Sequence, residues 1–297
     1  MATKSTTSLE AAAVSDALDL NAPYRDARPS WLKVPRANVS LIVSVLLLAI
    51  VVLWAILPGA FAPYDPYVVD GRSKLLPPSA DHLFGTDGLG RDLFSRFIWG
   101  TRTTLVAAGV ALLLAFVVSS VLGLLAGYLG GTVDDVIGRV LDIFLAVPGL
   151  LISLMLVTAL GFGSLNIAIA VGVSSIAAFA RVMRAEVFRI RHSDFVTSAR
   201  LAGVSWYVIL WRHIFPHAIG PVLALTALQF GSAIMSISAL SFLGFGAQAP
   251  EPEWGNIISG GRAVLRYAWW ISVVPGTVIV LVVLATNRLS RYLERIG

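Results

Sequence analysis

The residues of this chain best suited to chemistry with a partner lie between two apolar runs, in Asp194-Phe-Val-Thr197-Ser198-Ala199-Arg200-Leu-Ala-Gly203. Nine residues later follows His213-Ile-Phe-Pro216, immediately preceded by Arg212. Ser198, Ala199, Ala202 and Gly203 would leave a nearly bare surface. Arg200 and Arg212 could hold carboxylates through paired N–H···O bonds. Gly203 is placed to end the helix and turn the chain back. A membrane chain has no solvation reason to keep so regular a helix outside the bilayer unless something docks on it. His213 and His217 are four apart, but Pro216 interrupts the helical repeat and no carboxylate lies nearby in sequence, so a metal site is not expected there.

Other chemistry is excluded by residue type. There is no Gly-x4-Gly-Lys-Ser/Thr loop, and Lys4, Lys33 and Lys74 never follow glycine, so the chain has no phosphate cradle. If ATP drives this protein, another polypeptide must hydrolyse it. The absence of cysteine removes disulfides, thiolate metal sites and thiol nucleophiles. The apolar runs carry no ionisable residue in their middles, where a charge costs about 2.5–3.5 kcal/mol on insertion scales and commonly marks ion coupling. This argues against a proton-driven carrier built from this chain alone, and a buried acid–base enzyme site has few candidate residues, which makes a membrane enzyme a distant third reading. A Na⁺ site of carbonyls and hydroxyls escapes that test, which leaves a self-sufficient secondary transporter or channel as the alternative.

Three further groups of residues stand out. Asp87 with Arg91, and Asp92 with Arg96, are spaced i,i+4 with the acid first, which predicts a short helix carrying both pairs. Gly123, Gly127 and Gly131 recur every four residues, where small residues let a second helix approach. Gln229, Ser232 and Ser236 form a polar stripe suited either to a hydrated pathway or to bonds between helices.

The elements that must position these residues follow from composition. The chain is 57% hydrophobic with only 13% charged residues, and its mean hydropathy is +0.82. That describes one polytopic, all-α membrane domain rather than soluble ones. Val39–Leu57 is apolar throughout and long enough to cross ~30 Å of hydrocarbon. Ala60-Phe-Ala62 resembles a signal cleavage site, but the polar lead and the apolar core are both too long for a signal peptide. Five more spans are expected near 104–129, 139–161, 165–183, 217–245 and 268–287, the third bent at Pro148-Gly149. Residues 1–37 read as a polar cytoplasmic tail, 38–100 as the first span with an extracytoplasmic segment, 101–290 as a core of five spans, and 291–297 as a cytoplasmic end. With the N-terminus inside, fifteen of the 22 Lys and Arg fall in the inner loops and tails. Both termini and the 194–216 segment are thereby expected in the cytoplasm. The net charge of +5 is read as this topology signal and not as nucleic-acid binding.

Three blocks resemble the permease subunits of dipeptide/oligopeptide ABC importers. Thr197, Ser198, Ala199, Gly203, His213, Phe215 and Pro216 stand where the coupling loop of such permeases has Glu-Ala-Ala, Gly and Ile-x-Leu-Pro, with Thr197 in place of the acid. Phe84-Gly-Thr-Asp87-Gly-Leu-Gly-Arg91-Asp92-Leu-Phe-Ser95-Arg96 resembles the family segment before the core. Ser241-Phe-Leu-Gly-Phe-Gly246, Pro250-Glu-Pro-Glu-Trp254-Gly255 and Gly260-Gly-Arg262 resemble its loop before the last span. The resemblance implies a type I importer fold of six transmembrane helices in a bacterial cytoplasmic membrane. It also implies a heterodimer with a second homologous permease, two cytoplasmic ATPases that bind ATP and Mg²⁺, and an external solute-binding protein. The chain itself would hold no catalytic residue and no cofactor. Peptides are the implied cargo, with nickel chelates, opines or glutathione as alternatives. The 84–96 block and Trp254 would then form a lid or a docking surface for the binding protein.

Overall fold

The computed structural model describes residues 39–293. The expected tail over 1–37 and residues 294–297 of the expected C-terminal end lie outside them. Apart from an isolated Thr86–Asp92 bridge, the described residues form no strand. Helix α1 is Val39–Ile56, followed by a short α2, Pro58–Phe61. A long α3 covers Leu93–Leu129, and α4 and α5 are Gly131–Ala146 and Gly149–Leu160. Then come α6, Ser164–Ile190, and α7, Asp194–Leu201. A short α8, Trp206–Val208, leads through a π-helical segment, Ile209–Ile214, into α9, Phe215–Phe242. The last two helices are α10, Trp254–Gly260, and α11, Trp270–Leu293.

Five stretches are long and apolar enough to cross a membrane, and α4 with α5 makes a sixth if the pair is one span. That pair starts earlier than the third span expected at 139–161 and carries the bend expected at Pro148-Gly149. The helix begins at Gly131 and breaks at Val147-Pro148, where its two halves meet at 94°. Pro148 forces Val147 into extended backbone, φ −103° and ψ 134°, because a residue before proline is crowded out of the helical region. Only Leu141 of α4 is buried, and Asp135, Arg139 and Asp142 are exposed along it.

Three helices outrun their expected limits because each continues past the apolar stretch, α11 to Leu293 and so across the boundary placed at 290/291. Helix α3 starts eleven residues before the expected 104, capped by Asp92, whose carboxylate accepts a 2.7 Å bond from Ser95 N–H. The boundary placed at 100/101 therefore falls inside this helix. Helix α6 runs on through Arg184 and Arg189, beyond the expected 183.

The core is organised on α3 and α6. Gly123 and Gly127 let them come together: a Cβ on Gly123 would lie 2.6 Å from Met183 Cβ, and one on Gly127 2.8 Å from Val187 Cβ. Gly172 repeats the arrangement from α6, facing the Ala111 carbonyl. Gly131 does not belong to this face. The chain leaves α3 at Gly130, and Gly131 opens α4 with φ +53° and open space around it. The four-residue repeat runs past the helix end, which spacing alone could not locate.

Candidate coupling surface and cap

One end of the spans carries α7. Ser193 precedes it in extended backbone, and Gly203 terminates it with φ +78°, a left-handed conformation that glycine adopts without a Cβ penalty. Val204 N–H reaches the Ala199 carbonyl at 3.2 Å and Gly203 N–H reaches that of Arg200 at 3.1 Å. This paired closure satisfies carbonyls that a helix end leaves free. Val196 is fully buried and Ala199 half-buried against the core, so both face inward. Ala199 is therefore not part of the bare surface expected for it. The outward face consists of Asp194, Phe195, Thr197, Ser198, Arg200, Leu201, Ala202 and Gly203, with Leu201 84% exposed.

A contact that spacing did not suggest ties α7 to α9. The rings of Phe195 and His217 lie 5.1 Å apart, and His217 Nδ1 pairs with the His213 carbonyl at 2.7 Å. The π-helical turn just before them has a local cause. Pro216 has no N–H to give the Arg212 carbonyl, and its ring clashes with that carbonyl in regular helix. The ladder therefore slips, with Phe215 N–H bonding to Leu210. Arg200 and Arg212 are exposed and make no ion pair among the described residues.

Several arginines read as topology signals also join helices. Arg184 grips the Asp134 carboxylate of α4 with two guanidinium nitrogens, and Arg181 bonds Asp142 at 2.8 Å. Together they line a cleft of about 420 Å³ between α4 and α6. Arg191 donates to the Gly127 carbonyl at 2.9 Å at the end of α3. Glu186 takes Arg189 at 2.6 Å, the local pair that helical spacing predicts. The other partners are far along the chain, where spacing gives no hint of them.

The opposite end of α3 is closed by a cap of residues 57–92 and 244–262. The expected helix with two acid-first pairs does not form there. Asp87 instead turns the chain, accepting from Leu89 N–H at 2.8 Å and Arg91 N–H at 3.0 Å while holding Arg91 Nε at 2.7 Å. Asp92 is occupied by Ser95 and by His82 Nδ1 at 2.9 Å, not by Arg96. Arg96 is buried and lies 3.8 Å from Asp87. It donates to the Pro66 carbonyl at 2.8 Å and the Pro250 carbonyl at 3.4 Å, so one guanidinium holds both loops of the cap.

Trp254 locks the cap to α3. It is fully buried, stacks on Phe97 at 4.9 Å, and its Nε1 donates to the Phe97 carbonyl and Thr101 Oγ1, each at 3.2 Å. Beside it Glu253 is fully buried, its carboxylate accepting from Ala247 N–H at 2.8 Å and from Ser241 Oγ. Burial pushes this carboxyl above the usual glutamate value, outweighing those bonds, which favour ionisation. The folded cap thus holds the proton more tightly than the unfolded chain. The stability this group contributes is greatest at low pH, falls as pH rises above the unfolded value of about 4.3, and levels off above the folded value. Glu253→Gln keeps an acceptor and removes the titration. Melting of the purified protein from about pH 4 to about pH 7 should show wild type losing stability relative to Glu253→Gln as pH rises. Parallel profiles would sink the argument.

On α9, Ser232 is exposed and Gln229 and Ser236 are half-buried, on the side that also exposes Met235.

Long apolar helices, a capped end and a short, exposed helix at the other end fit a polytopic membrane permease subunit. Residues 119–295 match the family described as binding-protein-dependent transport system inner membrane component, and the chain belongs to that family. It is 36% identical over 269 residues to the dipeptide transport system permease protein DppC of Alkalihalophilus pseudofirmus, covering 90% of this chain and 87% of the relative. The di/tripeptide permease protein DppC of Pseudomonas aeruginosa is 38% identical over 248 residues, 82% of each chain. The glutathione permease protein GsiD of Pectobacterium atrosepticum is 36% identical over 266 residues, 89% of this chain and 87% of its own. The fold is shared with a solved amino acid ABC transporter chain at 18% identity and a TM-score of 0.52, over 68% of this chain and 94% of that one.

Proposed function

We propose that this chain is the transmembrane permease subunit of an ATP-driven importer of di- and oligopeptides. It forms the translocation pathway with a second, homologous permease in a bacterial cytoplasmic membrane, with both termini and α7 on the cytoplasmic side. Two cytoplasmic ATPases bind ATP and Mg²⁺ and dock on the 194–216 segment, and an external solute-binding protein delivers cargo to the cap. The observation that carries the reading is α7 itself: a short helix outside the apolar spans, closed by Gly203, with Leu201 almost fully exposed. Short peptides are favoured as cargo over nickel chelates or opines because the compared relatives are named for dipeptides, di/tripeptides and glutathione, itself a tripeptide.

ATP binding closes the ATPase pair and displaces α7. The Phe195–His217 contact and the continuous helix into α9 pass that displacement to the spans as a rigid-body motion. Two packed states, inward- and outward-facing, differ in their affinity for nucleotide-bound ATPase, and that difference moves the equilibrium. Gln229, Ser232 and Ser236 face the pathway.

The test is a gentle detergent pull-down of the tagged chain from its host, with dipeptide uptake measured in parallel. Recovery of a second permease and a P-loop ATPase is expected, and uptake should stop when the ATPase nucleotide site is disabled. A chain that comes down alone and still supports uptake would be a self-sufficient secondary transporter.

A further inference from the structure

Along α3, the side turned away from the core is apolar from Val106 through Leu113 and Val117 to Val121, all exposed. At its cap-side end stands Arg102, also exposed, with no ion pair among the described residues. From Arg102 to Val121 the helix rises about 28 Å, close to the ~30 Å of bilayer hydrocarbon. The exposed side of α4 differs sharply, since it carries Asp135, Arg139 and Asp142. A face with one charge, placed at interfacial depth, suits lipid. A face with charges spread along it does not.

A groove of about 330 Å³ opens on the α3 face against the start of α6, lined chiefly by Arg102, Thr103, Val106, Val110, Leu165 and Ala168. Its polar groups gather where α3 is nearest the cap, and its walls are aliphatic below. That is the layout of an amphiphile with an anionic head and a hydrocarbon tail. We propose that this groove is a binding site for one phospholipid of the cap-side leaflet. Arg102 holds the phosphate, and an acyl chain lies along Val106, Val110, Leu165 and Ala168. A guanidinium binds phosphate through paired donors, so an anionic headgroup supplies the partner that the protein does not. The site favours phosphatidylglycerol over phosphatidylcholine, whose ammonium cancels the headgroup charge.

The whole importer, as purified from its host, is placed in nanodiscs of phosphatidylcholine containing phosphatidylglycerol with a diazirine on one acyl chain. After irradiation and digestion, adducts are expected on the peptides carrying Val106–Val110 and Leu165–Ala168, and fewer with the same label on phosphatidylcholine. Arg102→Gln should lower phosphatidylglycerol labelling about fivefold, the size expected for one basic residue at an anionic surface. Arg266→Gln, an exposed arginine outside the groove, should leave it unchanged. Val110→Trp fills the groove and should lower labelling by both lipids with Arg102 intact. Equal labelling of wild type and Arg102→Gln overturns the proposal. So does capture of the second permease by a photo-activatable cross-linker attached to Val106→Cys, a substitution made in a chain with no native cysteine.

Discussion

Replacing Gly123 and Gly127 together by leucine is expected to leave almost no folded permease in the membrane. Each substitution brings a Cβ within 2.6–2.8 Å of side-chain carbon on α6 and 2.9 Å from backbone oxygen, of Ala180 at one position and Arg184 at the other. Backbone cannot step aside as a side-chain tip can, so α3 and α6 must separate. Two effects oppose each other at these positions. Replacing glycine in a helix interior gains up to about 1 kcal/mol of propensity, while overpacking costs about 1–3 kcal/mol per site and more for larger side chains. Single alanines should therefore be mildly destabilising, and the double leucine should exceed what a domain of ordinary stability tolerates. The two sites share one helix pair one turn apart, so their effects should not simply add. Gly109→Ala is the control: it has open space around the new Cβ and should be neutral or slightly stabilising. Membrane abundance and the melting temperature in detergent measure the outcome. A double-leucine variant as abundant as wild type would mean that α3 and α6 are not packed as described.

This interface shows what spacing reveals and what it hides. Gly123 and Gly127 advertise a close helix approach, and on α6 they meet Met183 and Val187 and the carbonyls of Ala180 and Arg184. Gly131, in the same register, belongs to another helix, because hydropathy does not show where α3 ends. The spans were legible because long apolar runs have few alternatives. The break at Pro148 was legible as a bend, but 94° depends on how α4 packs after it leaves Gly130. The cap resisted prediction for a different reason. Asp87 does pair with Arg91 at the predicted spacing, but in a turn rather than a helix, because it also accepts from backbone amides. Asp92 is drawn to a backbone amide and to His82, and Arg96 to carbonyls of two loops. Short polar side chains next to glycine-rich backbone bond locally in ways that helical spacing does not show. Arg184 and Arg191 illustrate the limit of charge counting. It places them on a side of the membrane without finding Asp134 or the end of α3, each more than forty residues away in sequence.

Leu201→Glu is expected to abolish most dipeptide uptake while leaving the permease folded, abundant and in the membrane. Leu201 is 84% exposed, so the protein spends almost none of its own packing on it, and substitutions at such surface positions usually change stability by less than about 0.5 kcal/mol. Under the proposed function, an aliphatic side chain held that far into solvent, next to Ser198 and Ala202, serves as the anchor for the ATPase. Putting a carboxylate on a docking anchor costs about 2 kcal/mol or more of association, roughly a thirtyfold loss of affinity. Val196→Ala provides the contrast. Val196 is fully buried on the inward side of the same helix, and its truncation should reduce abundance and uptake together. Cysteines placed in this cysteine-free chain separate the faces further. Ser198→Cys and Leu201→Cys should cross-link to a co-purified ATPase, and Ala199→Cys, turned toward the core, should do so weakly. If Leu201→Glu transported like wild type, α7 would be a structural turn between α6 and α9, and the force from nucleotide binding would have to enter elsewhere. The exposed arginines Arg200 and Arg212 would be the next surface to test, because they too face outward with no ion pair among the described residues.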